Sequence, residues 1–423
     1  MENNKPAENV FIADKANIDE AYKGRGDIVE AVIPEGTEII GMSVFEGCGS
    51  LKSIVIPEGT KSIGLKAFSG CGSLKNIVIP GSVIEIGDYA FMDCRSLENI
   101  VFPKGVRKIG VRAFYGCSGL KSVAAPEGIG KICCDAFRDC CSLEEIDLSK
   151  IWEIGEDAFY GCSSLKNKLK SLVIPEGTVV IGERAFKGFS NLKNLVIPNS
   201  VEKIEEGAFE GCSGLESIVI PDSVLEIGCR AFEGCTGLKS AVISNSVSEI
   251  WHEVFKNCSS LENIVIPDGV SDIGSGSFEG CSSLKNVVIP GSVSEIRQYT
   301  FKGCSSLENI VIPESVREIG IQAFKGCSSL KSVVIPDSVE RIEADAFSGC
   351  SSLENIVIPE SVREIGLLAF EGCSSLESVT FRGQRYTDKA AFNKAVMESG
   401  CSVDVDTVYV DDADVGSEYI GWL

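Results

Sequence analysis

The chain has 423 residues with 61 acidic against 39 basic side chains, a formal charge of −22. That balance disfavours general affinity for nucleic acid or an anionic membrane surface, both of which need Lys and Arg to neutralise phosphate. A single histidine, His252, leaves little material for Ser-His-Asp or Cys-His catalysis, and 44% hydrophobic residues suffice for a core that needs neither metal nor disulfide.

Residues 1–27 carry Val10-Phe11-Ile12 and a polar stretch around Asp19-Glu20-Ala21-Tyr22, which predicts an N-terminal cap. They contain no apolar segment resembling a secretory leader, and no run anywhere approaches the length of a membrane span. From residue 28 to about 383 a block of 23 residues recurs. Phe stands at 45, 68, 91, 114, 137, 159, 186, 209, 232, 255, 278, 301, 324, 347 and 370, which makes fifteen copies, and every proline except Pro6 falls in register. Cys follows each Phe by three residues, except where Phe189 takes its place. A fixed period of this size marks a solenoid, in which no unit buries its own apolar face and each stacks on the next.

One copy shows the elements. Leu307, Ile310 and Ile312 alternate along a half-buried parallel strand, which Pro313 ends because it has no amide to donate. Val316 and Ile319 then point inward, and Gly320 allows a turn. A short helical turn anchored by Ala323 and Phe324 is expected next, closed by Gly326 in the left-handed conformation. The predicted fold is a repeat solenoid of about fifteen rungs with one parallel strand per rung, short or helical turns on the other face, and like residues stacked at ~4.8 Å.

The period breaks once. The step from Phe137 to Phe159 is one residue short, the next is four residues long, and Lys166, Lys168 and Lys170 fall in the extra segment. A bulge at 145–172 is expected, read as a tolerated loop insertion in preference to a contact for an anionic partner. Trp152 and Trp251 replace small or polar residues, and packing over a disturbed turn is favoured over a role as exposed anchors. Beyond residue 383 a C-terminal cap is predicted. In it Thr387 caps a helix over Asp388 to Ser399, with Ala390, Ala391, Phe392, Ala395 and Val396 inward and Gly400 as terminator. A strand at 407–410 and a solvated acidic tail complete the reading; Asp404, Asp406, Asp411, Asp412, Asp414 and Glu418 lack the Gly and Glu spacing of a calcium loop.

Ser306 to Ser328 and Ser329 to Ser351 follow Ser-Leu-x-x-Ile-x-Ile-Pro-x-Ser-Val-x-x-Ile-Gly-x-x-Ala-Phe-x-Gly-Cys-Ser almost letter for letter. In this the chain resembles the BspA-type leucine-rich repeat family. The resemblance implies a leucine-rich-repeat superhelix and a non-enzymatic role. It also implies adhesion, co-aggregation or host contact by surface or secreted proteins of bacteria and anaerobic protists.

Of nineteen cysteines, fourteen occupy the repeat position. Parallel side chains one rung apart sit ~4.8 Å from each other, longer than a disulfide prefers, so a ladder of small apolar thiols is expected. Cys133, Cys134, Cys140 and Cys141 lack Cys-x-x-Cys spacing and read as crowded thiols or a local disulfide in preference to a zinc site. Free thiols and the missing leader suggest a cytoplasmic or anaerobic setting, whereas the resemblance suggests the cell surface.

Two exposed patterns remain. Lys193, Glu216, Lys239, Glu262, Lys285, Glu308, Lys331 and Glu354 alternate in sign, giving a doubled unit whose stacked neighbours support register. The middle strand residue faces away from the core and is almost always Val. Val219, Val242, Val265, Val288, Val311, Val334 and Val357, bordered by Asn263, Asn286 and Asn309 with Lys285 and Glu308 beyond, form the candidate partner-binding stripe. Extended sheets of this kind are where solenoids commonly bind. No phosphate loop, nucleophile elbow or cofactor motif is visible. The expected function is therefore a monomeric, cofactor-free scaffold that contacts a protein or glycan, or alternatively an intracellular scaffold for a protein partner.

Overall fold

The computed structural model describes residues 10–15, 17–124, 130–148 and 151–399. The expected strand at 407–410, the acidic tail and the Gly400 terminator lie outside them. The chain divides into two compact units, Met1–Phe209 and Glu210–Leu423.

In the first unit, parallel strands run from Phe11–Ile12 through Glu30–Val32, Ser53–Val55, Asn76–Ile77, Asn99–Val101 and Ser122–Ala124 to Glu145–Ile146. Ser171–Val173 and Asn194–Val196 form a separate parallel pair. In the second unit, one sheet runs from Ser217–Val219 to Ser378–Phe381 and ends on an antiparallel strand, Gln384–Tyr386. Register is set by the repeat, because residues 23 positions apart lie side by side, as Ile310 beside Val333 and Val311 beside Val334. A shift of one residue would turn every buried Ile outward. Each unit is thus a parallel β-solenoid.

The expectation of one strand per rung needs correction. Each regular rung also carries a two-residue strand, such as Glu318–Ile319, which pairs with Glu295–Ile296 and Arg341–Ile342 in a second parallel ladder. Its Ile is buried and its polar residue faces outward, so the core lies between two ladders. Two residues are too few to show an alternation in sequence.

No helical turn forms around Ala323 and Phe324. The amides of Gln322, Phe324 and Gly326 donate to the carbonyls of Ala344, Ala346 and Ser348 in the next rung, at 3.0, 2.8 and 2.7 Å. The intervening amides of Ala323, Lys325 and Cys327 donate three residues back within their own rung, each at 3.1 Å. This alternation replaces the i to i−4 ladder of a helix. It requires positive φ twice, 75° at Gly326 as expected and 54° at Gln322, where no glycine announces it.

Inside, Phe rings stack rung upon rung. Phe45 and Phe68 lie 5.4 Å apart at 4° in the first unit, and Phe324 and Phe347 lie 5.2 Å apart at 10° in the second. These are offset stacks that add to the burial of each ring. Tyr22 continues the first stack beyond Phe45 at 5.4 Å, and Phe11–Ile12 pairs with Ala31–Val32.

The inserted segment folds as a short helix, α1 (Ser163–Lys168), in place of the expected loop. After the last rung comes α2 (Lys389–Glu398). Its cap is Asp388, which accepts from the Ala391 amide at 2.8 Å, and not Thr387 one residue earlier. Asp caps helices as well as Thr, and the extended backbone of Asp388 places the boundary there. Phe392 and Val396 are buried as expected and Asn393 joins them, whereas Ala390 and Ala391 are exposed.

Candidate binding surface

Repeat sequence and strand geometry together decide what each rung shows to solvent. In Leu-x-x-Ile-Val-Ile the two Ile side chains enter the core, and the intervening Val is forced outward by the two-residue period. In the second unit Val219, Val242, Val265, Val288, Val311, Val334 and Val357 are all exposed, Val288 and Val334 at 72%. Pairing places them in one row, with Val219 beside Val242, Val242 beside Val265, Val288 beside Val311, Val311 beside Val334 and Val334 beside Val357. At the last rung the row ends on Thr380, next to Val357.

A polar row runs alongside. Asn263, Asn286 and Asn309 are stacked neighbours and exposed. One residue earlier, Lys285 pairs with Glu262 at 3.7 Å and Lys331 with Glu308 at 3.9 Å, with all four side chains about half exposed. Pairs this open contribute at most ~1 kcal/mol, so they serve register and solubility more than stability. In the first unit the corresponding pair, Lys121 and Glu98, is tighter at 2.8 Å, and that hydrogen bond holds the Glu98 carboxyl below the usual range. The predicted candidates are therefore brought together on one face, and every one of them is open to solvent.

The cysteine ladder faces the other way. The repeat thiols are buried and donate to a backbone carbonyl of the preceding rung, Cys48 to Tyr22 at 3.1 Å and Cys304 to Phe278, Cys327 to Phe301 and Cys350 to Phe324 at 3.2 Å. Burial pushes the thiols of Cys281 and Cys327 up to about 12. A neutral, enclosed thiol is neither nucleophile nor metal ligand. The link from free thiols to a reducing compartment is thereby weakened, because burial itself protects the sulfur. Of the crowded set, Cys140 belongs to the ladder and donates to the Phe114 carbonyl at 3.2 Å, while Cys141 is exposed.

Other sequence candidates are accounted for locally. The half-exposed Trp152 indole lies against Gly130, where an added Cβ would strike its Nε1, as expected of packing over a disturbed turn. His252 accepts from the Ser275 amide at 3.0 Å through Nδ1. Lys168 pairs with Glu144 at 2.5 Å, and Lys166 lies 5.1 Å from the centre of the Tyr160 ring, so two of the three inserted lysines serve the fold. One cluster had no sequence signal. Asp157, nearly buried, receives Arg138 at 2.6 Å and Arg184 at 3.0 Å, across rungs whose spacing the insertion has altered.

Comparison with known proteins agrees with this architecture. A family model described as BspA type leucine rich repeat region (6 copies) matches residues 18–140, 84–168, 166–285 and 271–398. A solved leucine-rich repeat protein from Bacteroides ovatus is 33% identical, with 85% of this chain and 80% of that one covered and a TM-score of 0.52. A leucine rich cell surface protein from Faecalibacterium prausnitzii is 29% identical over 71% of this chain and 84% of its own, with a TM-score of 0.45. A leucine rich repeat protein from T. pallidum is 32% identical over 39% of this chain and 79% of its own, at 0.36. No curated protein matches.

Proposed function

The chain belongs to the BspA-type leucine-rich repeat family, and from that premise we propose that it is a non-enzymatic scaffold holding a protein or glycan partner on the outward sheet of its second unit. The family fits a protein-binding scaffold. Adhesion or cell-surface contact is the specific reading the resemblance favours.

One observation carries the choice of face. Seven consecutive rungs expose Val at the same position, from Val219 to Val357, and only the terminal rung has Thr380. A strand position that needed β-propensity alone would accept Thr as readily as Val. A row kept apolar in water is instead suited to burial against another molecule, with the Asn row supplying hydrogen bonds at its border. The partner contacts are then Val219, Val242, Val265, Val288, Val311, Val334 and Val357, with Asn263, Asn286, Asn309, Lys285 and Glu308 at the rim.

The test is a variant carrying Val265→Lys, Val288→Lys, Val311→Lys and Val334→Lys, compared with wild type for capture of partner proteins and on a glycan array. The four side chains are exposed, so the variant keeps the wild-type circular dichroism spectrum, with a modest drop in melting temperature from like charges on adjacent rungs, while captured partners are lost. A folded variant that retains every partner places the function on another face.

A further inference from the structure

The outer ladder of the first unit is interrupted where α1 is inserted. Glu145–Ile146 pairs with Ser122–Ala124, and Ser171–Val173 pairs with Asn194–Val196. Among the described residues nothing pairs across the interval between Glu145–Ile146 and Ser171–Val173. The inner ladder of the same rungs is intact, with Glu153–Ile154 paired to Val180–Ile181. The two rungs are thus joined on one side and open on the other. Their opening is a cleft of about 480 Å³ whose floor includes Ile146, Leu165, Leu172, Ile174 and Phe186. Both charged residues on its wall, Asp147 and Glu176, are acidic. Ile146 is half-exposed there, whereas the residue at the same position is buried in the flanking rungs, as Val123 and Leu172 show.

Backbone direction adds a second, independent constraint. Between paired rungs the Ile amide donates to the Val carbonyl of the next rung, as Ile33 to Val55 at 3.0 Å and Ile174 to Val196 at 2.9 Å. Ile174 therefore faces the strand beyond it. By the alternation of a parallel strand, the amide and carbonyl of Val173 face back across the interval toward Ile146 and Leu148. Two strand edges confront each other over an apolar floor. An aliphatic ligand would match the floor but leave these polar groups without partners, and water would do the reverse.

We propose that this cleft binds an extended peptide segment of a protein partner, which enters as an added strand between Glu145–Ile146 and Ser171–Val173. Its alternate apolar side chains occupy the floor, and a Lys or Arg lies against Asp147 and Glu176. The mode is strand addition, in which main-chain hydrogen bonds give affinity and side-chain pockets give specificity. The site lies in the first unit and shares no residue with the valine row of the second.

The test uses the full chain and a fluorescein-labelled peptide, Lys-Ile-Val-Ile-Val-Lys, followed by anisotropy. Saturable binding is expected. Val173→Pro, which removes one amide aimed into the cleft and leaves the Ile174 bond in place, weakens it by about tenfold or more. Asp147→Lys, with its fold checked by circular dichroism, weakens it severalfold, and salt reduces that difference. The same peptide N-methylated at alternate amides does not compete, and the four Val→Lys changes of the second unit leave binding as in wild type. The proposal is overturned if the peptide does not bind, or if the N-methylated peptide or dodecylamine competes as well as the parent. It is equally overturned if Val173→Pro and Asp147→Lys both bind like wild type, or if the four Val→Lys changes abolish binding.

Discussion

Raising the pH should unlock the cysteine ladder, and the size of the effect follows from burial. Cys281 and Cys327 are fully enclosed, and desolvation raises their thiols from 9.0 to about 12. The folded pKa lies above the unfolded one, so the fold favours the protonated form. Its contribution is complete below the unfolded value and is lost as pH climbs toward the folded value. Each tenfold change in proton affinity between the folded and unfolded chain corresponds to ~1.36 kcal/mol. At about pH 11 each of these thiols therefore withdraws roughly 2–3 kcal/mol from folding, and the pair roughly 5 kcal/mol. The assay is urea unfolding under reducing conditions, followed by circular dichroism, for wild type and for Cys281→Ala with Cys327→Ala. Near neutral pH the variant is less stable by about 1–2 kcal/mol per site through lost packing. Between about pH 9 and pH 11 the deficit shrinks by roughly 5 kcal/mol and reverses. Lysines such as Lys108 and Lys121, whose ion-pair hydrogen bonds raise their pKa values, also lose charge on the alkaline side, but they do so in both proteins and cancel in the difference. A gap that stays constant with pH refutes the reasoning.

Glycines at two positions should respond differently to substitution. Gly326 has φ of +75° and room for a Cβ, 3.8 Å from the nearest atom, so Gly326→Ala costs roughly 1–2 kcal/mol through backbone strain alone. At Gly366 a Cβ would lie 2.1 Å from the Ala344 amide nitrogen, so Gly366→Ala costs roughly 3 kcal/mol or more. Thermal unfolding of the two variants measures the order, and the reverse order contradicts the packing described. Brief iodoacetamide treatment of the native protein should label the exposed Cys141 before the buried ladder and spare Cys304 until denaturant is added, as read by peptide mass spectrometry. Early labelling of Cys304 contradicts its enclosure.

The rungs were legible because a single requirement, burial of the same side of every copy, repeats at Phe45, Phe68 and onward, and because Pro313 and its equivalents punctuate each strand. The outward valines followed from the same alternation. What stayed hidden depends on contacts between rungs. Gln322 adopts positive φ because its amide reaches the Ala344 carbonyl, a bond that local sequence does not encode, and Tyr299, Asp345 and Leu368 occupy equivalent positions with the same sign. Glu318–Ile319 becomes a strand only because its neighbours 23 residues away do the same. Asp388 displaced Thr387 as cap through a difference of one residue, the usual margin at helix ends. The segment at 145–172 announced itself as an irregular count. Its consequence, a strand ladder opened on one side, requires knowing that the inner ladder stays closed.

Because residues in regular rungs bond to their own rung and to those 23 positions away, tension applied to the end of either unit would fall on one terminal rung at a time. Each rung that peels off releases 23 residues, roughly 75 Å of slack at ~3.3 Å per extended residue, in exchange for a loss of only ~4.8 Å of stack. A tether of this kind lengthens in discrete steps under load, while the rungs not yet reached keep their grip.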